Sequence, residues 1–148
     1  ERFLDTVHGV DRYFQEIYPK LLGGGASRVE LEDPENPLES GVRVWANPPG
    51  KKMKILSLLS GGEKAQVAIA LLFALFRIKP SPLCLLDEVD APLDAANGER
   101  FNRMLREMSL DSQFIIITHN KKTIEAVDVL YGVTIVSGVS QLVSVRID

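Results

Sequence analysis

Asp87 and Glu88 stand side by side at the end of the apolar run Leu83-Cys84-Leu85-Leu86. If that run is a buried strand, both carboxylates sit at the edge where α/β sheets bind ligands. A hard cation wants oxygen ligands, so Asp87 is a candidate for Mg²⁺, commonly through water. Glu88 is then placed to orient and deprotonate an attacking water, work that contributes ~10²–10⁴-fold to a rate. The plainer reading is a charged turn that closes a strand.

A second stretch is Leu59-Ser60-Gly61-Gly62-Glu63-Lys64-Ala65. Ser60 with Glu63 three residues later is a capping box that opens a helix. Capping does not explain two glycines in the first turn, where each costs about 1 kcal/mol relative to Ala. Glycines there let a phosphate approach free backbone N–H groups at the positive end of the helix dipole. Capping and anion binding are compatible, and both stand. Asp94, in Val89-Asp90-Ala91-Pro92-Leu93-Asp94, is a natural N-cap for a helix starting at Ala95. His119 lies just past the apolar run Phe114-Ile115-Ile116-Ile117, where a lone loop histidine is usually incidental.

These residues need elements to position them. Phe3, Val7, Val10, Phe14, Ile17 and Leu21 recur at spacings of three and four, which predicts a helix over 3–22, stopped by Gly23-Gly24-Gly25. Alternation predicts strands over 28–32 and 42–46. Residues 63–79 read as a helix apolar almost all round, the kind normally buried on several sides. Beyond it come a strand over 83–86, a helix over 95–108, a strand over 113–118 and a short helix over 121–127. Two terminal strands, 129–136 and 141–147, complete an α/β layering. The helix over 63–79 wants more cover than these elements offer, so part of the core is expected to lie elsewhere.

Of the 148 residues 45% are hydrophobic and 25% charged, an ordinary globular composition. A net charge of −3 argues against a broad phosphate-binding surface, so any DNA contact is local or supplied by other segments. Lys51-Lys52 and Lys121-Lys122 read as solvated surface. A single cysteine, Cys84, excludes an intrachain disulfide and a thiolate metal cluster, which fits a reducing cytoplasm. The longest apolar stretch, 67–76, is well short of the ~20 residues that cross a bilayer, so no membrane span is expected. The chain begins at Glu1 rather than Met, which fits an excised piece.

The four stretches in this order resemble the signature, Walker B, D-loop and switch histidine of ABC-type ATPases. Within that superfamily the resemblance is to structural maintenance of chromosomes (SMC) proteins, of bacterial or archaeal flavour. It is carried by Pro49-Gly50-Lys51-Lys52, by Leu56-Ser57-Leu58-Leu59-Ser60-Gly61-Gly62-Glu63-Lys64-Ala65 and by Ala70-Leu71-Leu72-Phe73-Ala74. Arg77 to Asn97, with Asp87 to Asp94 inside it, and Ile117-Thr118-His119-Asn120-Lys121-Lys122 continue it. Transporters of the superfamily usually carry Gln and Pro where this chain has Glu63 and Val89.

The resemblance implies an α/β fold, the C-terminal lobe of an ABC-type ATPase head, with a mixed sheet, flanking helices and a core incomplete without the N-terminal half. Residues 1–22 would end a coiled-coil helix and 23–148 would form the half-head. No G-x-x-x-x-G-K-[ST] loop occurs in the sequence, so that half would have to bring it. Ser60, Gly61 and Gly62, with Glu63, would contact ATP held on an opposite head. Asp87 would bind Mg²⁺, Glu88 would be the catalytic base, Asp94 would line the dimer seam and His119 would sense the γ-phosphate. Hydrolysis would drive chromosome condensation and segregation in a cytoplasmic, nucleoid-associated complex. Its partners would be the N-terminal half, a second head, a kleisin winged-helix domain docked near the terminal strands, and DNA through the whole complex. The stretch 131–140 is slightly shorter than the family form, which puts the docking hairpin in question. The alternatives are half of a related coiled-coil DNA-repair ATPase head, or a non-catalytic kleisin-docking module.

Overall fold

In the computed structural model, which describes residues 2–146, the glycine run and the apolar stripe act as the sequence predicts. Helix α1 (Arg2–Leu22) buries Val10, Phe14, Ile17, Tyr18, Leu21 and Leu22 along one side. Phe3, at the outer end of the stripe, is exposed. Gly23, Gly24 and Gly25 all take positive φ, and the Gly24 N–H donates to the Pro19 carbonyl at 2.9 Å, which ends the helix. A Cβ on Gly25 would overlap the Asn47 carbonyl oxygen, so the turn also needs glycine for close approach.

A three-stranded antiparallel sheet follows, made of β1 (Ala26–Leu31), β2 (Val42–Asn47) and β3 (Lys54–Ile55), with β2 in the centre. Its register sets Ala26 opposite Asn47 and Leu31 opposite Val42. The strand β3 is two residues long and too short for alternation to announce it. A 3₁₀ turn over Leu56–Leu58 leads into helix α2 (Gly61–Ile78).

Helix α2 packs against α1 and buries Val67, Ile69, Ala70, Phe73 and Ala74. Phe73 meets Phe101 with ring centroids 5.6 Å apart, and Phe76 meets Phe114 at 5.3 Å. Leu72 and Leu75 remain exposed, so the helix is covered on part of its circumference only.

Strands β4 (Leu83–Asp87) and β5 (Gln113–Ile117) pair in parallel, joined through α3 (Ala95–Met108) as a β–α–β unit. One face of this pair, with Leu86, Cys84, Phe114 and Ile116, packs on the core. The other presents Leu83, Leu85, Ile115 and Ile117 to solvent. Parallel pairs are normally covered on both faces.

Helix α4 (Lys121–Ile124) is shorter than the span 121–127 because the Ala126 N–H turns back to the Thr123 carbonyl at 3.0 Å. Strands β6 (Val129–Val136) and β7 (Val139–Arg146) form a hairpin. Its two-residue turn, Ser137 and Gly138, has φ of 52° and 79°, matching a primed hairpin turn. That tight turn starts β7 two residues before the expected 141, and Ile147 lies outside the described residues. Strands of both directions are thus present, divided among three sheets and flanked by helices.

Candidate functional site

The candidate residues fall into two groups. The first surrounds the N-terminus of α2. The Ser60 hydroxyl accepts from the Glu63 N–H at 3.4 Å, and the Glu63 carboxylate accepts from the Ser60 N–H at 2.8 Å, closing the capping box. Lys51, from the loop after β2, donates to the other Glu63 oxygen at 2.7 Å. Lys51, then the Ser60 backbone N–H, holds the Glu63 carboxyl down at about 2. Gly61 and Gly62 are exposed, have no positive φ, and a Cβ on either would meet nothing within 4 Å. Among the described residues nothing therefore requires glycine at these positions.

The second group stands at the carboxyl ends of β4 and β5. Asp87 closes β4 opposite Ile117, and its side chain is exposed. Glu88 follows with φ of 52°, a left-handed conformation that is uncommon outside glycine. Two hydrogen bonds hold it there: its N–H donates to the Ile117 carbonyl at 2.9 Å, and its carbonyl accepts from the Ala91 N–H at 3.2 Å. Its carboxylate lies 2.7 Å from His119 Nδ1. That hydrogen bond, with the adjacent negative charge of Glu88, raises the His119 pKa above its ordinary value.

Beneath this exposed pair is a buried one. Asp90 is 1% exposed, and its carboxylate accepts from the Thr118 hydroxyl at 2.7 Å and from the Thr123 hydroxyl at 2.5 Å. Thr118 Oγ1 in turn accepts from the Asn120 N–H at 3.0 Å. Asp94 caps α3, accepting from the Asn97 N–H at 2.8 Å. Between α2 and residues 88–92 lies an open cavity of about 270 Å³, lined by Ala65, Ala68, Ile69, Leu72, Glu88, Val89 and Pro92.

The structure therefore gathers Asp87, Glu88 and His119 at one strand edge, with Asp94 just beyond at the start of α3. Ser60, Gly61, Gly62 and Glu63 form their own cluster, and among the described residues no hydrogen bond or ion pair joins the two groups. Sequence reasoning missed Asp90 and the Lys51 tie. Asp90 meets threonines 28 and 33 residues away, and Lys51 meets a glutamate twelve away, so no local spacing marks either. No group of three or more His, Cys, Asp or Glu side chains among the described residues could enclose a metal ion. Asp87 offers one exposed carboxylate, a donor that fits Mg²⁺ where phosphate oxygens and water complete the shell.

A layered α/β lobe whose motif residues gather at strand ends and a helix N-terminus has the architecture of an ABC-type ATPase head. The family described as RecF/RecN/SMC N terminal domain matches residues 15–141. The chain belongs to this family. The chromosome partition protein Smc of Halobacteriovorax marinus is 55% identical over 148 residues, covering 99% of this chain and 12% of that protein. The Smc head domain of Pyrococcus furiosus, solved with an extended coiled coil and bound to the C-terminal domain of ScpA, superposes with a TM-score of 0.90. It is 42% identical and covers 97% of this chain and 36% of that one. A structure from work on ATP-driven dimerization and DNA stimulated activation of SMC ATPases gives 0.88 at 41% identity, covering 97% of this chain and 88% of that one. The chain spans about an eighth of the length of the curated relatives it matches.

Proposed function

We propose that this chain is the C-terminal half of an SMC head and that, completed by an N-terminal half carrying the phosphate-binding loop, it hydrolyses ATP at a head–head interface. The observation that carries the reading is the Glu88–His119 pair, 2.7 Å apart at the carboxyl edge of a parallel strand pair beside an exposed Asp87. Glu88 takes the proton of the attacking water. Protonated at both ring nitrogens, His119 donates Nδ1–H to Glu88 and has Nε2–H left to donate to a γ-phosphate oxygen. Mg²⁺ held at Asp87 would supply positive charge to phosphate oxygens as negative charge builds on them.

Gly61 and Gly62 present free N–H groups of α2, and Ser60 its hydroxyl, to the γ-phosphate of ATP on an opposing head. The absence of any packing need for glycine at 61 and 62 supports this. Glu63 holds the cap in shape, and Asp94 lines the seam between heads. The first turns of α1 continue a coiled-coil arm. The exposed terminal hairpin is the surface offered to a kleisin winged-helix domain, a reading favoured by the relatives solved with ScpA. DNA is engaged by the whole complex, in the cytoplasm on the nucleoid, during chromosome condensation and segregation.

The test is ATP turnover after co-folding this chain with a segment that bears the matching phosphate-binding loop. Turnover is expected only on mixing, to fall ~10²–10⁴-fold in Glu88→Gln with ATP still bound, and to be lost in Ser60→Arg. A folded, ATP-binding mixture with no turnover would instead support the docking module, which binds kleisin and does no chemistry.

A further inference from the structure

We propose that Asp90 is a positioning residue: its buried carboxylate ties the turn after Glu88 to the turn after β5, and thereby sets Glu88 against His119. The inference rests on the roles proposed for those two residues. It goes further by naming what holds them in place.

Both partners of the Glu88–His119 pair are solvent-exposed. An exposed pair contributes little by itself and does not fix two flexible side chains at 2.7 Å. The geometry has to be set by the backbone beneath. Asp90 is two residues past Glu88, and Thr118 immediately precedes His119. The hydrogen bond between Asp90 and Thr118 is thus the side-chain tie closest in sequence to both members of the pair. Thr123, 1% exposed on α4, adds a second donor from the far side of the His119 turn.

The turn from 88 to 93 is also closed on itself, by Ala91 N–H to the Glu88 carbonyl and Leu93 N–H to the Asp90 carbonyl. It can therefore move as a unit, and the Asp90 side chain anchors that unit to the neighbouring loop. A carboxylate this buried is tolerated only when hydrogen-bonded, and short hydroxyl-to-carboxylate bonds are among the stronger ones. A residue wanted only for packing would be apolar here.

The experiment compares His119 ring ¹⁵N resonances in this chain across four variants. Glu88→Gln supplies the spectrum of a broken pair. Thr123→Val is nearly isosteric and keeps the Asp90 charge, which matters because Glu88 and Asp90 both act on His119. Asp90→Asn removes the charged acceptor, and Thr123→Ser restores the hydroxyl. Thr123→Val and Asp90→Asn are expected to move His119 towards the Glu88→Gln spectrum, and Thr123→Ser to return it to the parent's. In the completed head, Thr123→Val should lower kcat by up to about 100-fold with KM little changed, the size of effect that misplaced catalytic groups produce.

A lowered melting temperature with an unaltered His119 spectrum in Thr123→Val would overturn the proposal and leave Asp90 a fold-stabilising group. If Asp90→Asn does not fold, Thr123→Val and its serine rescue decide alone. A parent head without turnover would sink the ATPase reading, whereas the ring spectra would still report whether Asp90 positions the pair.

Discussion

Lys51 and Glu63 show how one exposed contact can shape a helix end. Glu63 must be ionised to accept both from the Ser60 N–H and from Lys51, and these partners hold it at about 2. Its folded value lies below its ordinary 4.5, so its contribution is fully present above that value and is lost as the pH falls through about 2. Lys51→Met removes the largest cause of the depression. The Glu63 carboxylate, followed by ¹³C NMR, should then titrate closer to 4.5, with the cap loosening at higher pH than in the parent. An unmoved titration would show that Ser60 alone holds the carboxylate. His119 runs the other way. Its raised pKa means that what it gains from Glu88 is fully present below its ordinary 6.5 and is lost as the pH rises through the folded value.

At the scale of the element, helix α2 separates two demands that the sequence leaves superimposed. The capping box stabilises its N-terminus, and Ser60→Ala should cost about 0.5–2 kcal/mol in urea unfolding. The glycines do the opposite: a Cβ at 61 or 62 meets nothing within 4 Å, and neither residue has positive φ. Gly62→Ala should therefore raise the stability of this chain by up to about 1 kcal/mol, while the completed head loses turnover. A destabilised Gly62→Ala would mean that the glycine serves the fold, and the phosphate reading would lose its main support. The cap and the glycine puzzle were legible because they depend on neighbours within four residues. So were α1, which carries a long apolar stripe, α3, which Asp94 caps and which buries Phe101, Met104, Leu105 and Met108, and the strands β4 to β6. The two-residue β3 and the left-handed Glu88 were not, because partners distant in sequence set them, and β7 starts early because the Ser137–Gly138 turn is only two residues long. Asp90 was passed over because its donors come from the loop after β5 and from α4, which only the β4–β5 ladder brings near.

At the scale of the whole molecule, the apolar surface left in solvent is too ordered to be incidental. Leu83, Leu85, Ile115 and Ile117 form one continuous face of a parallel pair, which other α/β proteins cover. Leu72 and Leu75 add an uncovered side of α2, and Tyr131, Val133, Ile135, Leu142 and Val143 stand exposed on a hairpin that makes most of its contacts with itself. Contiguous patches of this kind mark interaction surfaces or aggregation hazards. An N-terminal half that lays strands or helices over β4 and β5 accounts for the first, and would complete the core from which α2 is now partly excluded. The chain alone should therefore bind an apolar dye strongly and self-associate as its concentration rises. Adding the complementary half should quench the dye and give a monodisperse complex, and a charge placed on the bare face, as in Leu85→Asp, should block that assembly without unfolding the chain. A solitary chain that stays monodisperse and ignores the dye would mean that the face is already satisfied, and the half-head reading would fail with it.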